Sequence, residues 1–166
     1  MNTLNNALTS LVLVALAGCT LSPTEKPVPE VPKVVRTIYL AQDDQGGGDD
    51  CSFPAANDTV YLNKQDHSCD NDVMSYVRLD NVRSSTFITL ESRDCDDDPS
   101  WVFELRTTID PISTGWLSID ALRNKKVGDV IVRGVRLTKG YSGDDNIKGK
   151  LSCVRVRVSS PPTVTP

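Results

Sequence analysis

The chain has 166 residues, 39% of them hydrophobic and 5% aromatic, with a formal net charge of −4 and five cysteines. That is enough apolar material for one packed core, and the acidic balance gives no reason to expect a nucleic-acid partner. A single histidine, His67, and the lack of GxSxG, HExxH or Walker patterns leave little for enzymatic chemistry, so no catalytic residue is expected.

In chain order, the first feature is an apolar run from Leu11 to Ala17. It is shorter than the roughly 20 residues a permanent membrane helix needs, but it has the length of a secretory core segment. It ends in Leu16-Ala17-Gly18-Cys19, which resembles the lipobox of bacterial lipoproteins. The n-region departs from that pattern in lacking Lys and Arg. The resemblance implies that residues 1–18 are a signal peptide and that Cys19 is lipidated. Acyl chains would then hold the protein to a membrane. Thr20 follows Cys19 where an inner-membrane lipoprotein of enterobacteria would carry Asp, which favours the outer membrane, with the domain in the periplasm. Residues 20–35 contain Pro23, Pro27, Pro29 and Pro32, which favour extended polyproline conformation. With Cys19 they make a tether, 19–35. The domain is expected at 36–158 and a disordered tail at 159–166.

Within the domain, alternation and β-branched residues mark seven expected strands. They are VVRTIYLA, DTVYLN, VMSYVRL, STFITLE, WVFELRT, DVIVRGVRLTK and KLSCVRVRV. Turn-forming stretches separate them, among them QGGG, ANDT, DDDPS and SGDDN. One helical turn is expected at SIDALRN, with Ser118 as cap and Leu122 packed inward. The expected class is all-β, with strands at the spacing of a sandwich or barrel. Trp101 and Trp116 are expected to fill the core, with exposure an option for Trp116.

Setting Cys19 aside leaves Cys51, Cys69, Cys95 and Cys153, an even number in an exported chain. Two disulfides are expected, with three pairings open. Zinc is the rival, but the spacings are long and contain no CxxC. Acidic residues crowd three of the cysteines: Asp49 and Asp50, Asp70, and Asp96, Asp97 and Asp98. Basic residues sit in strand-like runs instead. If disulfides gather these loops, one end of the domain becomes acidic and suits a basic partner.

Two segments align as a repeat. TIYLAQDDQGGG parallels FITLESRDCDDD, and NDVMSYVRL parallels KGKLSCVRV. The pattern resembles the βγ-crystallin Greek-key motif, through Ile38-Tyr39-Leu40 and Ile88-Thr89-Leu90, the glycines Gly47 and Gly48, and the closing Asn71-Asp72-Val73-Met74-Ser75. The resemblance implies a two-sheet Greek-key sandwich with pseudo-twofold symmetry. It also implies a calcium site using Asn71, Asp72 and Ser75, completed from the opposite key, with Asp96 to Asp98 as further candidates. The second key carries Lys148-Gly149 where the Asn-Asp pair belongs, which removes a second site. It also carries an insertion, expected at Asp110 to Gly128. Two functions follow as expectations. One is an outer-membrane-anchored binding module, an inhibitor or immunity protein against an enzyme or toxin. The other is a calcium-binding structural or envelope-stress lipoprotein.

Overall fold

The computed structural model describes residues 34–143 and 145–160. The leader, Cys19, most of the tether and the tail beyond Ser160 lie outside the described residues, and with them the expected lipidation.

Ten strands are described: β1 Thr37–Ala41, β2 Asp50–Pro54, β3 Asp58–Tyr61, β4 Tyr76–Asp80, β5 Thr86–Glu91, β6 Trp101–Thr107, β7 Leu117–Ser118, β8 Val130–Val132, β9 Val135–Ser142 and β10 Cys153–Val158. They form a four-stranded sheet, β2-β1-β4-β7, and a six-stranded sheet, β3-β10-β5-β6-β9-β8. All pairings are antiparallel. The expected all-β, two-sheet architecture with two disulfides is what the chain adopts.

The topology is two interlocked Greek keys. In the first, β1 and β2 form a hairpin, β3 leaves, and β4 returns beside β1. In the second, β5 and β6 form the hairpin, β7 leaves, and β10 returns beside β5. Each key lends its third strand to the sheet of the other: β3 pairs with β10, and β7 with β4. Matching backbone bonds mark the pseudo-twofold. Ser75 N donates to Ala41 O at 2.9 Å, and Ser152 N to Glu91 O at 3.0 Å.

Alternation supplies the core. Ile38 and Leu40 on β1, Phe53 on β2, and Val77 and Leu79 on β4 face Ile88, Leu90, Phe103, Leu105, Val154 and Val156 from the larger sheet, and all are buried. Each such side chain contributes roughly 1.5–3 kcal/mol relative to exposure. Trp101 is fully buried with its ring 5.6 Å from that of Phe103, so it is a core residue as expected. Trp116 is half-buried.

Three details differ from the sequence reading. DVIVRGVRLTK is a hairpin, not one strand. The chain reverses at Arg133-Gly134, where Gly134 has φ +85° and a Cβ would lie 2.7 Å from Ile112 Cδ1. β2 and β7 were not expected, because β2 follows an Asp- and Gly-rich turn and ends in Pro54, which reads as loop, and the two residues of β7 are too few to show a period. The insertion is also displaced. β7 lies within Asp110 to Gly128 and belongs to the Greek key, so the added material is the stretch from Ile119 through β9. Asp120–Asn124 is the expected helical turn, a 3₁₀ helix with Leu122 buried. The Ser118 hydroxyl accepts from Ala121 N at 3.3 Å, although Ile119 occupies the cap position.

Candidate functional site

Strand direction decides which loops meet. β1 ends at Ala41, opposite the start of β2 and the start of β4. β5 ends at Glu91, opposite the start of β10, which in turn faces the end of β3. Loops 42–49, 62–75 and 92–100 and residues 145–152 therefore converge on one end. Asp72 N donates to Leu151 O at 3.2 Å and ties the two keys together there.

Both disulfides sit at this end. Cys51, on β2, pairs with Cys69; Cys95, in the β5–β6 loop, pairs with Cys153, on β10. Each bridge closes within its own key, which spacing had left open. Their neighbours are the acidic clusters. Asp49, Asp50, Asp96, Asp97 and Asp98 are exposed and Asp70 is half-buried. Asp70 accepts from Gln65 Nε2 at 3.3 Å, and Asp96 accepts from the Tyr61 hydroxyl at 3.3 Å. Tyr61 N in turn donates to Asp66 at 2.9 Å. All six carboxylates therefore lie at this end of the domain, which forms an acidic rim. His67 is exposed and 3.3 Å from Asp58, a surface loop residue as its sequence setting suggests.

The expected calcium residues lie along two clefts that share Asp72. Asn71 and Asp72 line one of about 420 Å³, together with Asp94, Asp97, Lys150 and Ser152. Asn71 Oδ1 is buried there without a hydrogen-bond partner. Asp72 Oδ1 accepts from the Ser152 hydroxyl at 3.3 Å, and its Oδ2 lies 3.9 Å from Lys150 Nζ. Ser75 lines the second, of about 410 Å³, with Asp43, Asp72, Lys148 and Gly149. Its hydroxyl accepts from Gly149 N at 2.9 Å. The first cleft suits a hard cation in its carboxylates and its orphaned amide oxygen. Lys150 competes for Asp72. Among the described residues no three His, Cys, Asp or Glu side chains converge to hold a metal, so backbone and amide oxygens would complete any shell. Asp96 and Asp98 do not line this cleft; Asp97 does, joined by Asp94, which the sequence reading did not single out.

A further feature escaped the sequence. On the outer face of the four-stranded sheet, the Arg78 guanidinium stacks on Tyr39 at 4.0 Å and lies 5.3 Å from Trp116. Trp116 arrives from the loop before β7, which is held by Leu79 N donating to Thr114 Oγ1 at 3.1 Å and Asn81 N donating to Ser113 Oγ at 3.0 Å. Gly46 underlies the indole, since a Cβ there would come within 2.6 Å of it. The alternation of β4 puts Arg78 outside, but nothing in the sequence shows that a residue so far along the chain covers it.

No family model matches the chain, and no curated protein matches it. Among solved structures, the chain is similar to a double mutant of a βγ-crystallin domain from Clostridium beijerinckii, at 16% identity and a TM-score of 0.38, covering 72% of this chain and 94% of that one. The strand order described above, rather than this likeness, carries the assignment of two Greek keys.

Proposed function

We propose that the protein is a lipid-anchored, non-catalytic binding module, held at the outer membrane through Cys19 and facing the periplasm. Its acidic rim holds a basic protein partner, an enzyme or toxin that it inhibits. The observation that supports this most is the disulfide-pinned convergence of Asp49, Asp50, Asp70, Asp96, Asp97 and Asp98 at one end of the domain. A rim fixed in advance loses little conformational entropy on binding, and concentrated negative charge speeds encounter with a basic surface.

The test compares the wild-type chain with one in which the six aspartates are changed to asparagine, both used to capture envelope proteins. A basic partner retained by the wild type, weakened by salt and lost from the variant is the expected outcome. Equal capture by both chains counts against the rim.

Calcium binding is the second reading, favoured by the buried, unpartnered Asn71 Oδ1 beside Asp72, Asp94 and Asp97. A bound ion would raise stability by mass action. Calcium should then raise the melting temperature relative to chelator, and Asn71→Leu should abolish the difference. Identical melts for the wild type in calcium and chelator would exclude this reading.

A further inference from the structure

The pseudo-twofold shows which part of the second key has no counterpart in the first. The first key runs from β3 to β4 through short 3₁₀ turns, whereas the second inserts the β8–β9 hairpin between β7 and β10. The hairpin makes β8 an edge strand of the larger sheet. Its approach carries Lys125 and Lys126, its turn Arg133 and β9 Arg136, all exposed. Among the described residues none of the four pairs with a carboxylate, although most other arginines do. Asp129 is the one acid in the strip, and its carboxylate accepts from Lys126 N at 2.9 Å. Between the cations stand Val127 and Val130, 63% and 59% exposed. Val130 is the cross-strand partner of Arg136, so cation and apolar side chain share a face. This strip is opposite in sign to the rim.

Its position matters as much as its charge. Thr108 N donates to Gly134 O at 2.9 Å, and Gly134 packs against Ile109 and Ile112. Two residues after Thr108, Asp110 pairs with Arg36 at 3.2 Å. Arg36 is where the chain enters the first strand, beside the exposed Val34 and Val35. The hairpin turn therefore lies at the end of the domain where the tether arrives, away from the acidic loops.

We propose that the β8–β9 edge docks on anionic phospholipid headgroups, leaving the acidic rim turned away from the membrane and open to a partner. This rests on the lipid-anchored reading above. Cations interleaved with exposed valines suit a headgroup boundary, where charge meets lipid phosphate and small apolar side chains enter the interface. The same surface repels the aspartates, so one field both attracts the hairpin and orients the domain.

The experiment takes the full chain purified from envelopes and mixes it with vesicles of phosphatidylethanolamine and phosphatidylglycerol, or of phosphatidylcholine alone. Flotation and hydrogen exchange are read together. The expected result is flotation with both vesicle types, but several-fold slower exchange across residues 125–133 on the anionic vesicles only. Loop 42–49 should be unchanged. Protection should vanish in about 0.5 M NaCl, where screening is short-ranged, and in the Lys125→Glu/Lys126→Glu/Arg133→Glu variant. Flotation with both and equal exchange overturns the docking surface while leaving the anchor; that is also the outcome for a strip serving an acidic protein instead. Flotation with anionic vesicles alone, reversed by salt, removes the anchor and keeps the surface. Flotation with neither removes both.

Discussion

In the first Greek key the Ser75 hydroxyl accepts from Gly149 N at 2.9 Å, whereas its twin Ser152 turns to the Asp72 carboxylate at 3.3 Å. The β1–β2 loop folds back on glycines, while the β5–β6 loop, its counterpart, carries a cysteine among aspartates. One disulfide joins residues 18 apart, the other residues 58 apart. The apolar positions, by contrast, repeat faithfully, with Leu40 and Leu90 fully buried at equivalent places. The symmetry is thus confined to the core and the ladder. The loops, free of that packing constraint, have separated into a cleft with Asp72, Asp94 and Asp97 and a cleft in which Asp43 and Asp72 share the lining with Lys148 and Gly149.

The disulfides should show the largest asymmetry. A longer closed loop restricts the unfolded chain more, so Cys95→Ser/Cys153→Ser should cost about 4 kcal/mol and Cys51→Ser/Cys69→Ser about 3 kcal/mol. Denaturant melts of the two double variants measure the order, and the reverse order would show that native packing outweighs loop length.

Leu40→Ala and Leu90→Ala test the opposite claim, that the cores are equivalent. Both should lose about 3 kcal/mol. A clear inequality in urea midpoints at constant slope would place one leucine in a more collapsible surrounding and break the symmetry at its strongest point.

The glycines come next. Gly46 has φ +78° and would drive a Cβ into Trp116, while Gly149 has φ +63° but only ordinary contacts at 3.6 Å. Gly46→Ala should cost about 2 kcal/mol and shift the indole fluorescence, because Trp116 must leave its place beside Arg78. Gly149→Ala should cost about 1 kcal/mol with no spectral change.

The smallest effects belong to the paired serines. Ser75→Ala leaves Gly149 N without its acceptor, and Ser152→Ala removes a weaker contact to a carboxylate that also lies near Lys150. About 1 kcal/mol for the first and less for the second is expected. Thermal melts in chelator keep any calcium effect out of that comparison.

Much of the fold could be read in advance because its signals are local. Alternation in TIYLA, FITLE and CVRVRV marks strands, and the echo of NDVMSYVRL in KGKLSCVRV marks the repeat. The acidic rim was legible for the same reason, since aspartates crowd the cysteines in the chain itself. The hairpin at Arg133-Gly134 was less so, because valines on both sides of a single glycine look like one continuous strand. β7 escaped notice because two residues have no period.

The residue pattern by itself determined that this chain makes short antiparallel strands in two related halves, with oxidised cysteines beside acidic turns. Those properties depend on neighbours within a few positions. Only the tertiary structure decided which strand each half lends to the other and which cysteines pair. It alone also bonded Ser75 to Gly149, stacked Arg78 beside Trp116, and set the basic hairpin at the tether end. Each of these joins residues far apart in the chain, where loop closure and core packing choose among arrangements that local patterns leave equal.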